Sequence, residues 1–367
     1  MKHIAYVADK IFTGDAWLQD HAVLVKENSI ETLIPTTELD EAYEVKHYPG
    51  CWLAPALIDI QIYGAHQQLL AVHPTAEALQ LLADYCFKGG ATLCVPTVAT
   101  NSLEVFKKCI DAVRDYWSAG GKGVYGLHLE GPWINKAKKG AHMEAFIHAP
   151  TLEEVNDLLA YGKDVIKIIT LAPEVCSDAV IQAIQHQNII ISAGHSNATY
   201  AEAMQAFDKG IPSATHLYNA MSPLNHREPG LVGALFNHPA ARCSIIPDGH
   251  HVDYAAIAIA KKQMGHRLFV ITDAVTETDT GYYRHQLEGD KYVSHGILSG
   301  SALTMHKAFV NLVQHVGISV EEALRMCSLY PAQVLQQDHR YGRIAPHYAA
   351  QFMVVNEQLE LAEVVNE

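Results

Sequence analysis

Four apolar runs of the chain each end on a side chain that can bind a metal or carry a proton. They are Gly123-Val-Tyr-Gly-Leu-His-Leu-Glu130, Ile189-Ile-Ile-Ser-Ala-Gly-His195, Ser213-Ala-Thr-His216 and Leu268-Phe-Val-Ile-Thr-Asp273. Two imidazoles and one carboxylate, from His195, His216 and Glu130, suit a single Zn²⁺ or Fe²⁺ ion with a coordination position left open. An ion of that kind lowers the pKa of a water and polarises a carbonyl. A carboxylate beside it, Asp273, is placed to accept the proton of that water and return it to a leaving amine. Each residue alone has an ordinary explanation. A strand-end histidine is commonly a hydrogen-bonded core residue, and an aspartate after a strand commonly caps the next helix. Taken together, the four point to a hydrolase with one metal ion per subunit.

Such residues lie far apart in the chain, so the fold must gather them. Continuous apolar runs read as strands buried on both faces. In a parallel α/β barrel, the C-terminal ends of all strands open onto one face. Eight candidate strands occur, at 56–63, 91–96, 123–130, 165–171, 188–193, 212–216, 242–247 and 267–273. Between them lie segments with a 3.6-residue apolar period. These are 75–86 (with Thr75 as cap), 152–159, 179–186 and 199–207, followed after the last strand by 302–316 and 319–327. Strand character returns at both ends of the chain, in Ile4-Ala-Tyr-Val7, Ala22-Val-Leu-Val-Lys26 and Ala349-Ala-Gln-Phe-Met-Val-Val355. The expected fold class is therefore α/β: a (β/α)₈ TIM-type barrel over 53–335, with a small β-sandwich domain formed by both termini, 1–52 and 336–367.

The loops after these strands carry further polar groups. Arg227, in the segment 214–230, has the planar fork that matches a phosphate. His142 and His251 follow barrel strands and are placed to polarise a carbonyl or to hold sugar hydroxyls; surface histidines in loops are the ordinary alternative. The bulk properties narrow the partners. The net charge is −14, from 26 basic and 40 acidic residues, which argues against nucleic acid or an anionic membrane as partner. The seven cysteines are scattered without a Cys-x-x-Cys spacing, as expected of free thiols in the cytoplasm. No signal-peptide core opens the chain and no apolar run approaches the ~18 residues of a membrane span.

Eight motifs carry a family resemblance: His128-Leu-Glu-Gly-Pro132, Lys139-Gly-Ala-His142, Gly194-His-Ser196, Thr215-His-Leu-Tyr-Asn-Ala-Met221, Arg227-Glu-Pro-Gly230, Asp248-Gly-His-His251, Thr272-Asp-Ala274 and Leu298-Ser-Gly-Ser301. In this order they resemble the N-acetylglucosamine-6-phosphate deacetylases of the amidohydrolase superfamily. The resemblance implies a homodimer that hydrolyses a phosphorylated amino sugar. It implies that Glu130, His195 and His216 hold the metal, that Asp273 is base and then acid, and that His142 polarises the acetamide carbonyl. It also implies substrate contacts at Ala141, His142, Asn219 and Ala220, phosphate at Arg227, sugar hydroxyls at His251, and a pocket-lining loop at Leu298, Ser299 and Gly300. N-acetylgalactosamine 6-phosphate is the alternative substrate, since one hydroxyl contact separates the epimers. One departure stands out. Many amidohydrolases carry His-x-His at the end of the first barrel strand and bind a second metal there. This chain has Gln61 and Tyr63 instead, where some deacetylases have Gln-x-Asn, so a mononuclear site is expected. His66, just beyond, is the one alternative ligand nearby.

Overall fold

The computed structural model describes residues 3–367. Its frame is eight parallel strands: β1 (Leu57–Ile62), β2 (Ala91–Ala99), β3 (Leu127–Glu130), β4 (Ile166–Leu171), β5 (Ile190–Ala193), β6 (Ser213–Ala214), β7 (Arg242–Ile245) and β8 (Leu268–Val270). Each hydrogen-bonds to the next in chain order. The ring closes just beyond the ends of β8 and β1. There Ile62 bridges Ala274, and the Asp273 N–H donates to the Gln61 carbonyl at 3.0 Å. The eight strands fall within or close to the expected windows, and β6 is the shortest at two residues. All nine residues of β2 are buried, as befits a parallel strand covered on both faces.

The expected helices are present as Ala76–Lys88, Leu152–Gly162, Asp178–Gln185, Tyr200–Asp208 and Val320–Cys327. Their starts follow their caps: Thr75 accepts from the Ala78 N–H, and Thr199 and Glu202 form a reciprocal capping box. The segment expected at 302–316 begins later, at Met305 after the Thr304 cap, and ends in one π-helical turn, Leu312–Val316. Helices Leu103–Ser118 and Tyr254–Met264 fill two further intervals between strands. Helix Gly230–Asn237 has no side-chain cap and is apolar almost all round, so it carries neither a start signal nor an amphipathic period.

Both termini meet in one seven-stranded sheet, the small β domain expected from their composition. The join is antiparallel pairing of Gln351–Asn356 with Glu44–Pro55, in which Met353 lies opposite Ala54. Side chains alternate along each strand. Phe352 and Val354 enter the sheet's own core with Tyr6, Val23 and Leu53, while Met353 and Val355 join the barrel core with Trp52 and Ala54. The small domain is thus packed to the barrel through every second residue of its central strands.

One segment differs from expectation. Leu298, Ser299 and Gly300 lie on a strand, Ile297–Ser301, which is the last of a three-stranded antiparallel meander with Gln286–Glu288 and Lys291–Ser294. Its first strand is exposed throughout and the other two mix polar with apolar residues without a clean alternation, so the meander lacks an apolar signature. It is docked to the barrel mouth by a bridge from Ser301 to Ala274. Among the described residues no helix is long and apolar enough to cross a membrane, and all seven cysteines are free.

Candidate active site

Glu130 ends β3, while His195, His216 and Asp273 lie two or three residues beyond the ends of β5, β6 and β8. All four are buried. The backbone at His195, His216 and Asp273 is left-handed, with φ of 48°, 41° and 53° respectively. Non-glycine residues hold such conformations at a cost, and they cluster at functional sites. Here the turn re-aims each side chain from the strand direction toward the barrel axis.

Glu130, His195 and His216 form the one group of three or more potential ligands found among the described residues, their donor atoms all within 4.8 Å of one another. Glu130 Oε1 is 3.1 Å from His216 Nε2 and 3.4 Å from His195 Nε2, and the two Nε2 atoms are 3.1 Å apart. The other ring nitrogens are tied to the backbone: His195 Nδ1–H donates to the Lys138 carbonyl at 2.8 Å, and His216 Nδ1–H to the Asn219 carbonyl at 3.1 Å. A histidine with its Nδ1–H so used presents an Nε2 lone pair, and backbone carbonyls are common orienting partners of metal-binding imidazoles. The donor set and its convergence fit a small divalent cation. Burial would raise the Glu130 carboxyl, but the imidazoles of His142, His195 and His216 gathered around it overcome that and hold it well below the usual carboxylate range.

His142 lies between Thr100 Oγ1, 2.7 Å from its Nδ1, and Glu130 Oε2, 3.1 Å from its Nε2. Burial pushes it down to about 4. Asp273 is held by Gln61, whose Nε2 donates to Asp273 Oδ1 at 2.8 Å and to Glu130 Oε1 at 2.9 Å. Burial, and Glu130 nearby, push the Asp273 carboxyl up, against the pull of His216, His251 and His195. No helix begins after Asp273, so the capping explanation for it does not apply. The Tyr63 hydroxyl donates to Glu130 Oε2 at 2.5 Å and lies 3.3 Å from Asp273 Oδ1. His251 is fixed by Asp248, whose Oδ2 is 2.6 Å from Nδ1.

These side chains line one cavity of about 210 Å³. Ala141, His142, Asn219, Ala220, His251, Leu298, Ser299 and Gly300 are all on its wall. Arg227 is not: it is exposed, on the loop after β6, and no Lys or Arg lines the cavity among the described residues. The proximity of Arg227 to a metal-bearing strand in sequence does not carry its side chain inward, because the intervening loop runs along the surface. His66 is also elsewhere, exposed and edge-on to the Tyr85 ring at 6.1 Å. His128 has both ring nitrogens engaged, with Ile60 O at 3.2 Å and Thr170 Oγ1 at 2.7 Å, and belongs to the core.

Sequence reasoning passed over Thr100, Tyr283 and His285. Thr100 follows β2 as the other site residues follow their strands, so its position was a signal. Tyr283 and His285 line the cavity from a segment without periodicity, and nothing in the sequence marks them.

Comparison with known proteins agrees with this geometry. Residues 52–366 match the amidohydrolase family, and residues 5–50 match the NagA composite domain. The chain is 34% identical to N-acetylglucosamine-6-phosphate deacetylase of Haemophilus influenzae, across 91% of this chain and 90% of that one. It is 30% identical to N-acetylgalactosamine-6-phosphate deacetylase of Escherichia coli O157:H7, across 97% and 96%. The crystal structure of N-acetylglucosamine-6-phosphate deacetylase from Pasteurella multocida matches it with a TM-score of 0.94 at 33% identity, covering 99% and 98% of the two chains.

Proposed function

Because the chain belongs to the amidohydrolase family, we propose that it hydrolyses N-acetylglucosamine 6-phosphate to glucosamine 6-phosphate and acetate. The observation that carries this reading is the convergence of Glu130, His195 and His216 in one cavity with Asp273 and His142. The first three would hold a single divalent cation, Zn²⁺ or Fe²⁺. Such an ion supplies Lewis-acid chemistry, acidifying a water and polarising a carbonyl.

The chain's own residues do the rest. Asp273 accepts a proton from the attacking water and passes it to the sugar nitrogen as the C–N bond breaks. His142, on the cavity wall with its Nε2 3.1 Å from Glu130 Oε2, turns that nitrogen from the carboxylate to steady the acetamide oxygen. His251, with Nδ1 tied to Asp248, turns Nε2 to the sugar hydroxyls. Asn219 and Ala220 offer backbone contacts, and Ala141 with Leu298, Ser299 and Gly300 completes the wall. Arg227 is the phosphate group's cation. The cavity wall of one chain carries no Lys or Arg among the described residues, so an Arg227 brought to the mouth would supply the missing cation; the homodimer is proposed on the family resemblance. Residues 53–335 are then the catalytic domain of a cytoplasmic enzyme, and 1–52 with 336–367 its β-sheet support.

The Escherichia coli relative keeps N-acetylgalactosamine 6-phosphate as the second reading. Acetate release from the two sugar phosphates and from unphosphorylated N-acetylglucosamine separates these readings. The proposal expects the highest kcat/KM on N-acetylglucosamine 6-phosphate. A higher value on the galactose epimer would replace the sugar, and equal values with and without phosphate would remove the role of Arg227.

A further inference from the structure

We propose that Tyr63 is a positioning residue: its hydroxyl fixes which oxygen of Glu130 is offered to a metal ion. The inference rests on the metal reading above and concerns how this chain builds that site. The two oxygens of Glu130 have different surroundings. Oε1 faces the imidazoles, 3.1 Å from His216 Nε2 and 3.4 Å from His195 Nε2. Oε2 points away from them and takes the Tyr63 hydroxyl at 2.5 Å, with His142 Nε2 at 3.1 Å. Oε1 also takes one N–H of the Gln61 amide at 2.9 Å, so the difference between the two oxygens is that only Oε2 carries the short hydroxyl bond from Tyr63, while Oε1 is the one that lies against the His195 and His216 nitrogens.

Tyr63 is itself held in place. Its oxygen accepts from Gln61 Nε2 at 2.8 Å, and the same amide reaches Asp273 Oδ1 at 2.8 Å. Its ring packs with Leu69, Ala99, Val275 and Tyr283 on the cavity side. The phenol thus links Glu130, which would bind the ion, to Asp273, which would move the proton, and keeps both carboxylates at fixed separation. It also fills the end of β1, the place at which a His-x-His pair would hold a second ion.

The test is Tyr63→Phe, which removes one oxygen and keeps the ring packing. Four quantities are read on the full-length protein: Zn²⁺ affinity by competition with a chelator, kcat and KM for acetate release, and the melting temperature of metal-free protein. Loss of an orienting partner costs about 10- to 100-fold in metal affinity or activity. The expected result is a loss of Zn²⁺ affinity of that size and a fall in kcat of about tenfold or more, with KM and the metal-free melting temperature little changed. Wild-type Zn²⁺ affinity and kcat in the variant would overturn the proposal, including when only its melting temperature falls, since that describes a purely structural side chain. If the wild-type protein binds Zn²⁺ yet releases no acetate, the proposed reaction fails, while the affinity measurement still decides the role of Tyr63.

Discussion

In the proposed reaction Asp273 and His195 divide the chemistry of the site between proton transfer and metal binding, and single substitutions separate the two. Asp273→Asn keeps the shape and removes the proton acceptor. Its amide still pairs with neighbours such as Tyr63, so the ligand atoms of Glu130, His195 and His216 keep their geometry. Removal of a general base costs about 10²- to 10⁴-fold in kcat, and the bound metal, measured on the same sample, is expected to stay at the wild-type level. A variant that retains turnover would remove Asp273 from the mechanism. His195→Ala has the opposite signature. With one of three donors gone, metal content of the purified protein is expected to fall to background, and added Zn²⁺ should no longer raise the melting temperature. At this scale the sequence was informative because strand-end histidines and carboxylates are chemically conspicuous. It said nothing about the carbonyls of Lys138 and Asn219 that set the tautomers of His195 and His216, since every residue carries a carbonyl.

At the scale of elements, the site is made by the turns that leave the strands. The eight strands were legible because parallel strands under two layers must be apolar throughout. The left-handed backbone at His195, His216 and Asp273 was not, because those residue types do not announce a positive φ as glycine does. The meander over 286–301 was illegible for a related reason: burial along its strands comes in adjacent residues, as at Val293 and Ser294, so no alternation records them. Gly131, just after Glu130, shows how closely the turns fit. Its φ is 84°, and a Cβ there would stand 2.1 Å from Thr100 Oγ1, the atom 2.7 Å from His142 Nδ1. Gly131→Ala must therefore adopt a strained backbone and displace Thr100. The expected cost is about 1–3 kcal/mol of stability by denaturant titration, together with a reduced kcat as His142 loses its support. Unchanged stability and kcat would show that the turn relaxes freely.

Across the whole molecule, an acidic protein of net charge −14 must still attract a phosphorylated sugar. Its cavity wall supplies imidazoles but, among the described residues, no Lys or Arg. A localised cation at the mouth resolves this, and Arg227 on its exposed loop is the proposed source. Arg227→Ala is expected to raise KM for the sugar phosphate by about 10-fold or more, in line with the roughly 1.5–3 kcal/mol of a charge-assisted hydrogen bond. Activity on the unphosphorylated sugar and metal content should not move. Light scattering on the same variant reports whether the proposed dimer persists. Equal KM values for both proteins would take Arg227 out of the site. The pairing of both termini into one sheet was readable from composition at each end, whereas the position of Arg227 was not, because a motif fixes neighbours in sequence and not the course of a surface loop.

The most direct test of a one-metal deacetylase is to strip the protein of metal and add Zn²⁺ back stepwise while following acetate release from N-acetylglucosamine 6-phosphate. The predicted result is a rate that rises in proportion to added ion and levels at one equivalent per chain. A rate that needs two equivalents would contradict a mononuclear site in which Gln61 and Tyr63 replace the ligands of a second ion, and full activity in the stripped protein would contradict the metal reading altogether.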